Sequence, residues 1–140
     1  MSSSRTRVVV LISGSGSNLQ ALIDGMQNGE LPIDIAAVIS NRPAVFGLER
    51  AEQAGIPALV LDHKQFDNRE SFDQKLAQLI DSYQPDLVVL AGFMRILTTT
   101  FTRHYAGRML NIHPSQLPKY QGLHTHKRVL DAGEVEHGVT

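Results

Sequence analysis

Two polar residues late in the chain have the types and the spacing expected of a functional site. Asn111 and His113 alternate with Leu110 and Ile112 in a run that indicates a buried strand and stops at Pro114. Because side chains alternate along a strand, the amide and the imidazole should lie on the same face. Such a pair costs free energy unless polar groups face it. Neighbouring loops could satisfy it, but its position at the exit of a strand, before a proline-bounded loop, favours a site.

The second candidate is the loop of residues 13–18, Ser-Gly-Ser-Gly-Ser-Asn, which we call the glycine loop. It joins an apolar run to a helical pattern, an arrangement that directs backbone N–H groups and the positive end of a helix dipole at an anion. Leu19 replaces the third glycine of a dinucleotide fingerprint, and Asn41 stands where that fingerprint needs an acid. A nucleotide P-loop is excluded because Gly-Lys-Ser/Thr is missing. We predict a small phosphate monoester; the alternative is a tight turn with Ser17 as helix cap.

A third candidate is the apolar loop, residues 92–97, with the sequence Gly-Phe-Met-Arg-Ile-Leu. Loops are usually polar, so this composition needs an explanation. One interpretation is a hydrophobic plug over the core. The other is a slot for a flat ring system, with Arg95 beside it.

Alternating strands and helices must position these three candidates. Apolar runs predict strands at residues 8–12, 33–39, 58–61, 86–91 and 109–113. Helical spacing predicts intervening helices that include residues 19–26, 44–51, 72–83 and 100–105. Asp67 and Glu70 are predicted to form a capping box for the third helix, and Thr125 to cap a later one. This order predicts an α/β fold with a parallel sheet and right-handed crossovers. Ligands of such sheets bind at the carboxyl ends of the strands, where all three candidates lie.

Composition and charge limit the class of function. The 140 residues suit one domain, and 42% apolar with 19% charged residues is ordinary for a soluble globular protein. A net charge of −1 argues against nucleic-acid and membrane-surface partners. The sequence has no cysteine, which excludes disulfides and thiolate chemistry and fits a reducing cytoplasm. Residues 1–5 lack the apolar core of a signal peptide, and no run of about 18 apolar residues exists.

Three segments together resemble the phosphoribosylglycinamide formyltransferase family, folate-dependent enzymes of purine synthesis. They are S-G-S-G-S-N-L-Q-A-L-I, V-V-L-A-G-F-M-R-I-L and L-N-I-H-P-S-Q-L-P-K-Y-Q-G-L-H-T-H. The N-I-H-P-S element marks the wider formyltransferase superfamily, and the glycine and apolar loops narrow the likeness to this family. The resemblance runs from Val8 to Gly138. It implies a Rossmann-like formyltransferase fold, a mostly parallel sheet with helices on both faces.

The resemblance also implies an activity and its residues. The reaction is formyl transfer from 10-formyltetrahydrofolate to the amine of glycinamide ribonucleotide, in de novo purine (IMP) biosynthesis. By residue, the likeness assigns catalysis to Asn111 and His113, the substrate phosphate to Gly16, Ser17 and Asn18, and the folate to Arg69, Met94, Arg95, Ile96, Leu97 and Asn111. An Asn N–H₂ donor and an imidazolium can stabilise the oxyanion of the tetrahedral intermediate, and a histidine can protonate the departing folate nitrogen. We expect a monomer or homodimer in the cytoplasm, with no metal.

The C-terminal end departs from the family pattern. The family continues past H-G-V-T into further strands, an aspartate that pairs with the catalytic histidine, and a helix, whereas the sequence ends at Thr140. We therefore expect a single catalytic domain over residues 1–140, truncated at its C-terminal end, with those strands absent and no counterpart of that aspartate. Gln116 and Gln121 replace a more usual leucine and proline, from which we expect loop-level effects.

Other functions stay open at this point. Another superfamily enzyme, such as a formyltetrahydrofolate deformylase or an initiator-tRNA formyltransferase, is one alternative. The deformylase lacks this glycine loop, and the tRNA enzyme would need a basic appended domain. A catalytically silent module is a second alternative. A metal site at His113, His124, His126 and His137 is the weakest alternative. H-x-H alone is a poor signal for metal ligands, and neither a cysteine nor a nearby acid completes the site.

Overall fold

The apolar run predicted as the first strand forms the centre of the sheet. In the computed structural model, which describes residues 5–112, this strand is β1 (Thr6–Ile12). Its last five residues, Val8 to Ile12, are buried completely or almost so. A strand covered on both faces needs apolar side chains at consecutive positions instead of alternate ones. The continuous run therefore reflects burial on both sides.

The described elements follow the predicted alternation of strands and helices. In chain order they are β1, α1 (Ser17–Gln27), β2 (Ile33–Ser40), α2 (Phe46–Gln53), β3 (Ala58–Val60), a short 3-10 helix (His63–Gln65), α3 (Arg69–Asp81), β4 (Leu87–Ala91), α4 (Thr99–His104) and β5 (Met109–Ile112). The predicted α/β fold with a parallel sheet is confirmed. The helix predicted to begin at Thr125 lies outside the described residues.

The order of the strands determines where a ligand can bind. The sheet has the order β3-β2-β1-β4-β5, and every neighbouring pair is parallel. The chain builds the sheet outwards from β1 through β2 and β3, and then crosses to the other side of β1 for β4 and β5. In such sheets a crevice opens at the carboxyl ends of the two adjacent strands where the strand order reverses, the topological switch point. Here that crevice lies between the loops that follow β1 and β4.

The helices form two pairs. Helix α1 packs against α2, and α3 packs against α4. Right-handed crossovers that build the sheet in two directions place these pairs on opposite faces. Each helix buries an apolar side, for example Leu19, Leu22 and Ile23 of α1 and Phe72 and Leu76 of α3.

Two predicted details of the helices are wrong. Ala44 does not begin the second helix: it is exposed, and its φ of 59° places it in the left-handed region, so α2 starts two residues later at Phe46. The predicted capping box of Asp67 and Glu70 is also absent, because Asn68 is the N-cap of α3. The Asn68 backbone is extended, and its Oδ1 accepts a hydrogen bond of 2.7 Å from the Ser71 N–H.

The last two helices are held together by a buried phenol. Tyr105 is fully buried at the end of α4, and its hydroxyl donates a hydrogen bond of 2.8 Å to Asp81 at the end of α3. His104 contacts the other carboxylate oxygen of Asp81, also at 2.8 Å. Arg108 lies over the Tyr105 ring at 4.9 Å. This cluster fixes α4, and α4 leads directly into β5, the strand of Asn111.

Candidate active site

The glycine loop turns the chain from β1 into α1 without a side-chain cap. Gly16 occupies the N-cap position with a φ of 77°, a left-handed conformation that favours glycine. Ser17, predicted as a cap in the tight-turn alternative, is instead the first helical residue and is exposed, and no side chain caps the helix. The first N–H groups of a helix have no intrahelical partner. Those of Ser17 and Asn18 belong to this uncapped first turn.

Helix α2 supports the glycine loop from behind. Gly47 approaches so closely that a Cβ on Gly16 would lie 2.6 Å from the Gly47 Cα, and the Gly47 N–H donates to the Gly14 carbonyl at 3.1 Å. Arg50 donates from Nε to the Ser15 carbonyl at 2.7 Å. Neither Gly47 nor Arg50 was predicted from the sequence. A glycine inside a helical pattern is a signal of close packing, and Gly47 carries that signal.

The apolar loop divides its side chains between the core and the surface. Phe93 and Leu97 pack against the core, as the plug interpretation predicts. Met94 and Ile96 are 80% and 72% exposed, which a plug does not explain. Large apolar side chains at this exposure are the kind of surface that a flat apolar ligand can cover. Arg95 lies beside them, and its guanidinium is 4.3 Å from the centre of the Phe72 ring.

Two buried side chains fix the backbone of this apolar loop. The Met94 N–H donates to the Ser13 hydroxyl at 2.7 Å, and the Thr98 N–H donates to the Asp73 carboxylate at 2.7 Å. Ser13 is 1% exposed and Asp73 is 3% exposed. The loop is therefore held at both ends while Met94 and Ile96 stay exposed.

The remaining predicted residues are placed as follows. Asn111 lies in β5 beside Leu90 of β4 and is half-buried, whereas Leu110 and Ile112 are buried, in agreement with the predicted alternation. Arg69 is the exposed first residue of α3, one turn before Phe72. His113 lies outside the described residues. The glycine loop, the apolar loop and Asn111 thus lie at the carboxyl ends of three neighbouring strands, β1, β4 and β5.

An open cavity of about 470 Å³ lies at the same edge. It is lined by the loops after β2, β3 and β4: Asn41, Arg42, Pro43, Asp62, His63, Lys64, Met94 and Arg95. A second cavity, of about 410 Å³, lies between α3 and α4, away from the glycine loop. Among residues 5–112 no three His, Cys, Asp or Glu side chains are grouped so that they could hold a metal ion. In the same range no helix is long and apolar enough to cross a membrane.

Residues 6–140 match the formyl transferase family. The chain belongs to this family. Phosphoribosylglycinamide formyltransferase of Escherichia coli (strain K12) is 57% identical to this formyl transferase chain over 133 residues, which are 95% of the chain and 63% of the relative. The trifunctional purine biosynthetic protein adenosine-3 of Homo sapiens is 48% identical over 136 residues, 97% of the chain and 14% of that protein.

Solved structures show the same fold. The phosphoribosylglycinamide formyltransferase of Coxiella burnetii is 56% identical, with a TM-score of 0.76 over 93% of this chain and 61% of that one. Glycinamide ribonucleotide transformylase 1 of Symbiobacterium toebii is 45% identical, also with a TM-score of 0.76. The predicted formyltransferase fold is thereby confirmed. The chain spans about three fifths of the length of these bacterial relatives.

Proposed function

We propose that the protein transfers a formyl group from 10-formyltetrahydrofolate to the amine of glycinamide ribonucleotide, a step of de novo purine biosynthesis. The observation that carries the proposal is that the uncapped glycine loop, the exposed apolar loop and Asn111 lie at the same ends of three neighbouring strands. Each of these features suits one part of the reaction. Relatives about half identical to the chain are named as phosphoribosylglycinamide formyltransferases.

The ribonucleotide phosphate is assigned to Gly16, Ser17 and Asn18. The backbone N–H groups of this turn and the positive end of the α1 dipole favour a dianion. Arg50 adds a positive charge behind the loop without blocking it, since its Nε is bonded to the Ser15 carbonyl. A phosphate held here leaves the amine of the same substrate free to extend along the edge towards β5.

The formyl donor is assigned to the other side of the crevice. The exposed Met94 and Ile96, with Arg95 and Leu97, offer an apolar surface beside a cation, which suits a folate with its flat pterin and its carboxylates. Arg69 is one turn from Phe72, the ring under Arg95, and is assigned to the same ligand. Asn111 borders both substrates in this arrangement.

The proposed chemistry uses the side chains of Asn111 and His113. The amine nitrogen attacks the formyl carbon, and the carbonyl electrons move to oxygen to give a tetrahedral oxyanion. The Asn111 amide donates a hydrogen bond to that oxyanion, and the imidazolium of His113 adds positive charge. The intermediate collapses as the bond from carbon to the folate nitrogen breaks. His113 gives its proton to the departing nitrogen, and the attacking nitrogen loses one to solvent.

The partners proposed are therefore small molecules. The protein is expected in the cytoplasm as a monomer or homodimer, and no metal, nucleic acid or membrane takes part in the proposed reaction.

The test is an assay of the full-length protein with both substrates. Formylated ribonucleotide should form only when 10-formyltetrahydrofolate and glycinamide ribonucleotide are both present, and it should not form when glycinamide without the ribose phosphate replaces the acceptor. Release of formate from the donor without acceptor would instead indicate a deformylase. Absence of both products would contradict the proposal.

A further inference from the structure

A chain of hydrogen bonds crosses the carboxyl edge from the end of β3 to the loop after β4. The His63 Nδ1 is 3.1 Å from the Asn41 carbonyl, which can only accept, so Nδ1 carries the proton. The Asn41 side chain accepts from the Ser13 hydroxyl through Oδ1 at 2.6 Å. The Ser13 oxygen in turn accepts from the Met94 N–H at 2.7 Å. Four strand ends are connected through these residues.

Ser13 is the central link of this chain. Its hydroxyl is buried, donates its one proton to Asn41 and accepts a hydrogen bond from the Met94 N–H. Within residues 5–112 this is the only hydrogen bond between the glycine loop and the apolar loop. The Met94 end of the apolar loop is therefore joined to the glycine loop by one hydroxyl group, while Asp73 and the core hold the rest of the loop.

The two loops depend on Ser13 to different degrees. The glycine loop has its own supports on α2, from Gly47 to the Gly14 carbonyl and from Arg50 to the Ser15 carbonyl. The near end of the apolar loop is held by Ser13, and its far end by Asp73. Loss of the Ser13 hydroxyl should release the Met94 end and leave the glycine loop in place.

We propose that Ser13 is a positioning residue for the formyl donor: it sets where Met94 stands in the crevice and so tunes folate binding, while ribonucleotide binding is independent of it. The inference rests on the proposed function, because it takes the apolar loop as the folate site. Ser13 acts through the backbone of Met94 and is not assigned any contact with a substrate.

The test compares Ser13→Ala with Ser40→Ala in the full-length protein. Ser40 is also a fully buried serine at a strand end on this edge, and its hydroxyl bonds the backbone of Arg42 instead of Met94. Both variants lose one buried hydroxyl, so both should lose similar stability. Amide hydrogen exchange at Met94 should become about tenfold faster in Ser13→Ala and stay unchanged in Ser40→Ala.

The second measurement is binding. Calorimetry with pteroylglutamate as the probe gives the affinity for the folate, and steady-state kinetics give the KM of each substrate. Ser13→Ala should bind pteroylglutamate about fivefold to tenfold more weakly, with a matching rise in the donor KM and little change in the ribonucleotide KM. Ser40→Ala should stay within about twofold for both. Equal weakening by both variants, or an equal rise of the two KM values in Ser13→Ala, would overturn the proposal. If the wild type binds pteroylglutamate but transfers no formyl group, the proposed function fails while the binding comparison still decides the role of Ser13.

Discussion

The guanidinium of Arg95 lies 4.3 Å from the centre of the Phe72 ring, so the charged group of the apolar loop rests on helix α3. An aromatic face attracts a cation without using its N–H donors. Within the described residues the buried Nε of Arg95 also has no hydrogen-bond partner. The cation is therefore held against the ring by a contact that uses none of its N–H donors.

Arg95→Lys tests this relationship. A lysine keeps the charge but loses the planar group that stacks on the ring and binds a carboxylate with two parallel bonds. We expect the KM of the formyl donor to rise about tenfold, with a loss of stability below about 1 kcal/mol. The ribonucleotide KM should not change. The control is Arg103→Lys on α4, which lines neither cavity; a similar rise there would contradict a specific role for Arg95.

Gly16→Ala should weaken ribonucleotide binding far more than donor binding. Its Cβ would lie 2.6 Å from the Gly47 Cα, in addition to the cost of about 1–2 kcal/mol for a left-handed residue. Gly29→Ala is the matched control, because Gly29 has a φ of 83° and nothing within 4 Å of an added Cβ. It should lose stability but keep its affinity for the ribonucleotide. Equal losses for both substrates in Gly16→Ala would argue against the phosphate assignment.

Asn111→Ala and His113→Ala should lower kcat with modest changes in KM. Removal of one oxyanion donor commonly raises the barrier by about 3–4 kcal/mol. Asn28→Ala, an exposed asparagine at the end of α1, serves as the control and should leave kcat unchanged. Steady-state rates at saturating donor measure the effect. A change confined to KM would mean that these residues bind the substrate and the transition state equally.

Tyr105→Phe should change how stability depends on pH. Burial, and then the hydrogen bond to Asp81 and its charge, raise the pKa of the Tyr105 phenol above its ordinary value. Above about pH 10 the unfolded chain releases a proton that the folded protein keeps, so the free energy of unfolding falls by up to about 1.4 kcal/mol per pH unit. This contribution is complete below that pH and is lost as the pH rises.

Urea unfolding at several pH values between neutral and 11 measures this effect. Tyr105→Phe should be less stable at neutral pH by about 1–2 kcal/mol, because Asp81 loses a buried donor, but its stability should fall less steeply in alkali. Tyr83→Phe is the control, since no hydrogen bond of its hydroxyl is found in the described part of the chain. Parallel pH profiles for wild type and Tyr105→Phe would contradict the role of this phenol.

The fold and the loops were predictable because their signals are local. The burial of β1 is visible in the sequence as five consecutive apolar residues. The glycine loop is visible as a run of alternating serines and glycines. The supports of the site were not predictable in the same way. Ser13, Asn41 and Asp73 are ordinary polar residues until the fold brings their partners close, and nothing near Ser13 in the sequence indicates Met94 as its neighbour.

The wrong details have a related cause. Asn68 and Asp67 are both good caps, and which one begins α3 depends on the backbone entering the helix. Ala44 fits a helical spacing, but it adopts a left-handed conformation that this spacing cannot reveal.

The central place of β1 has a consequence for how the protein is made. Val8 pairs with Ile35 of β2 on one side and with Leu87 of β4 on the other, so β1 leaves the ribosome well before its second neighbour, β4. At about 5–20 residues per second, the side of β1 that receives β4 stays uncovered for several seconds. During that interval an almost wholly apolar strand has an open edge. A nascent chain of this kind should therefore be prone to associate with other chains until β4 has emerged.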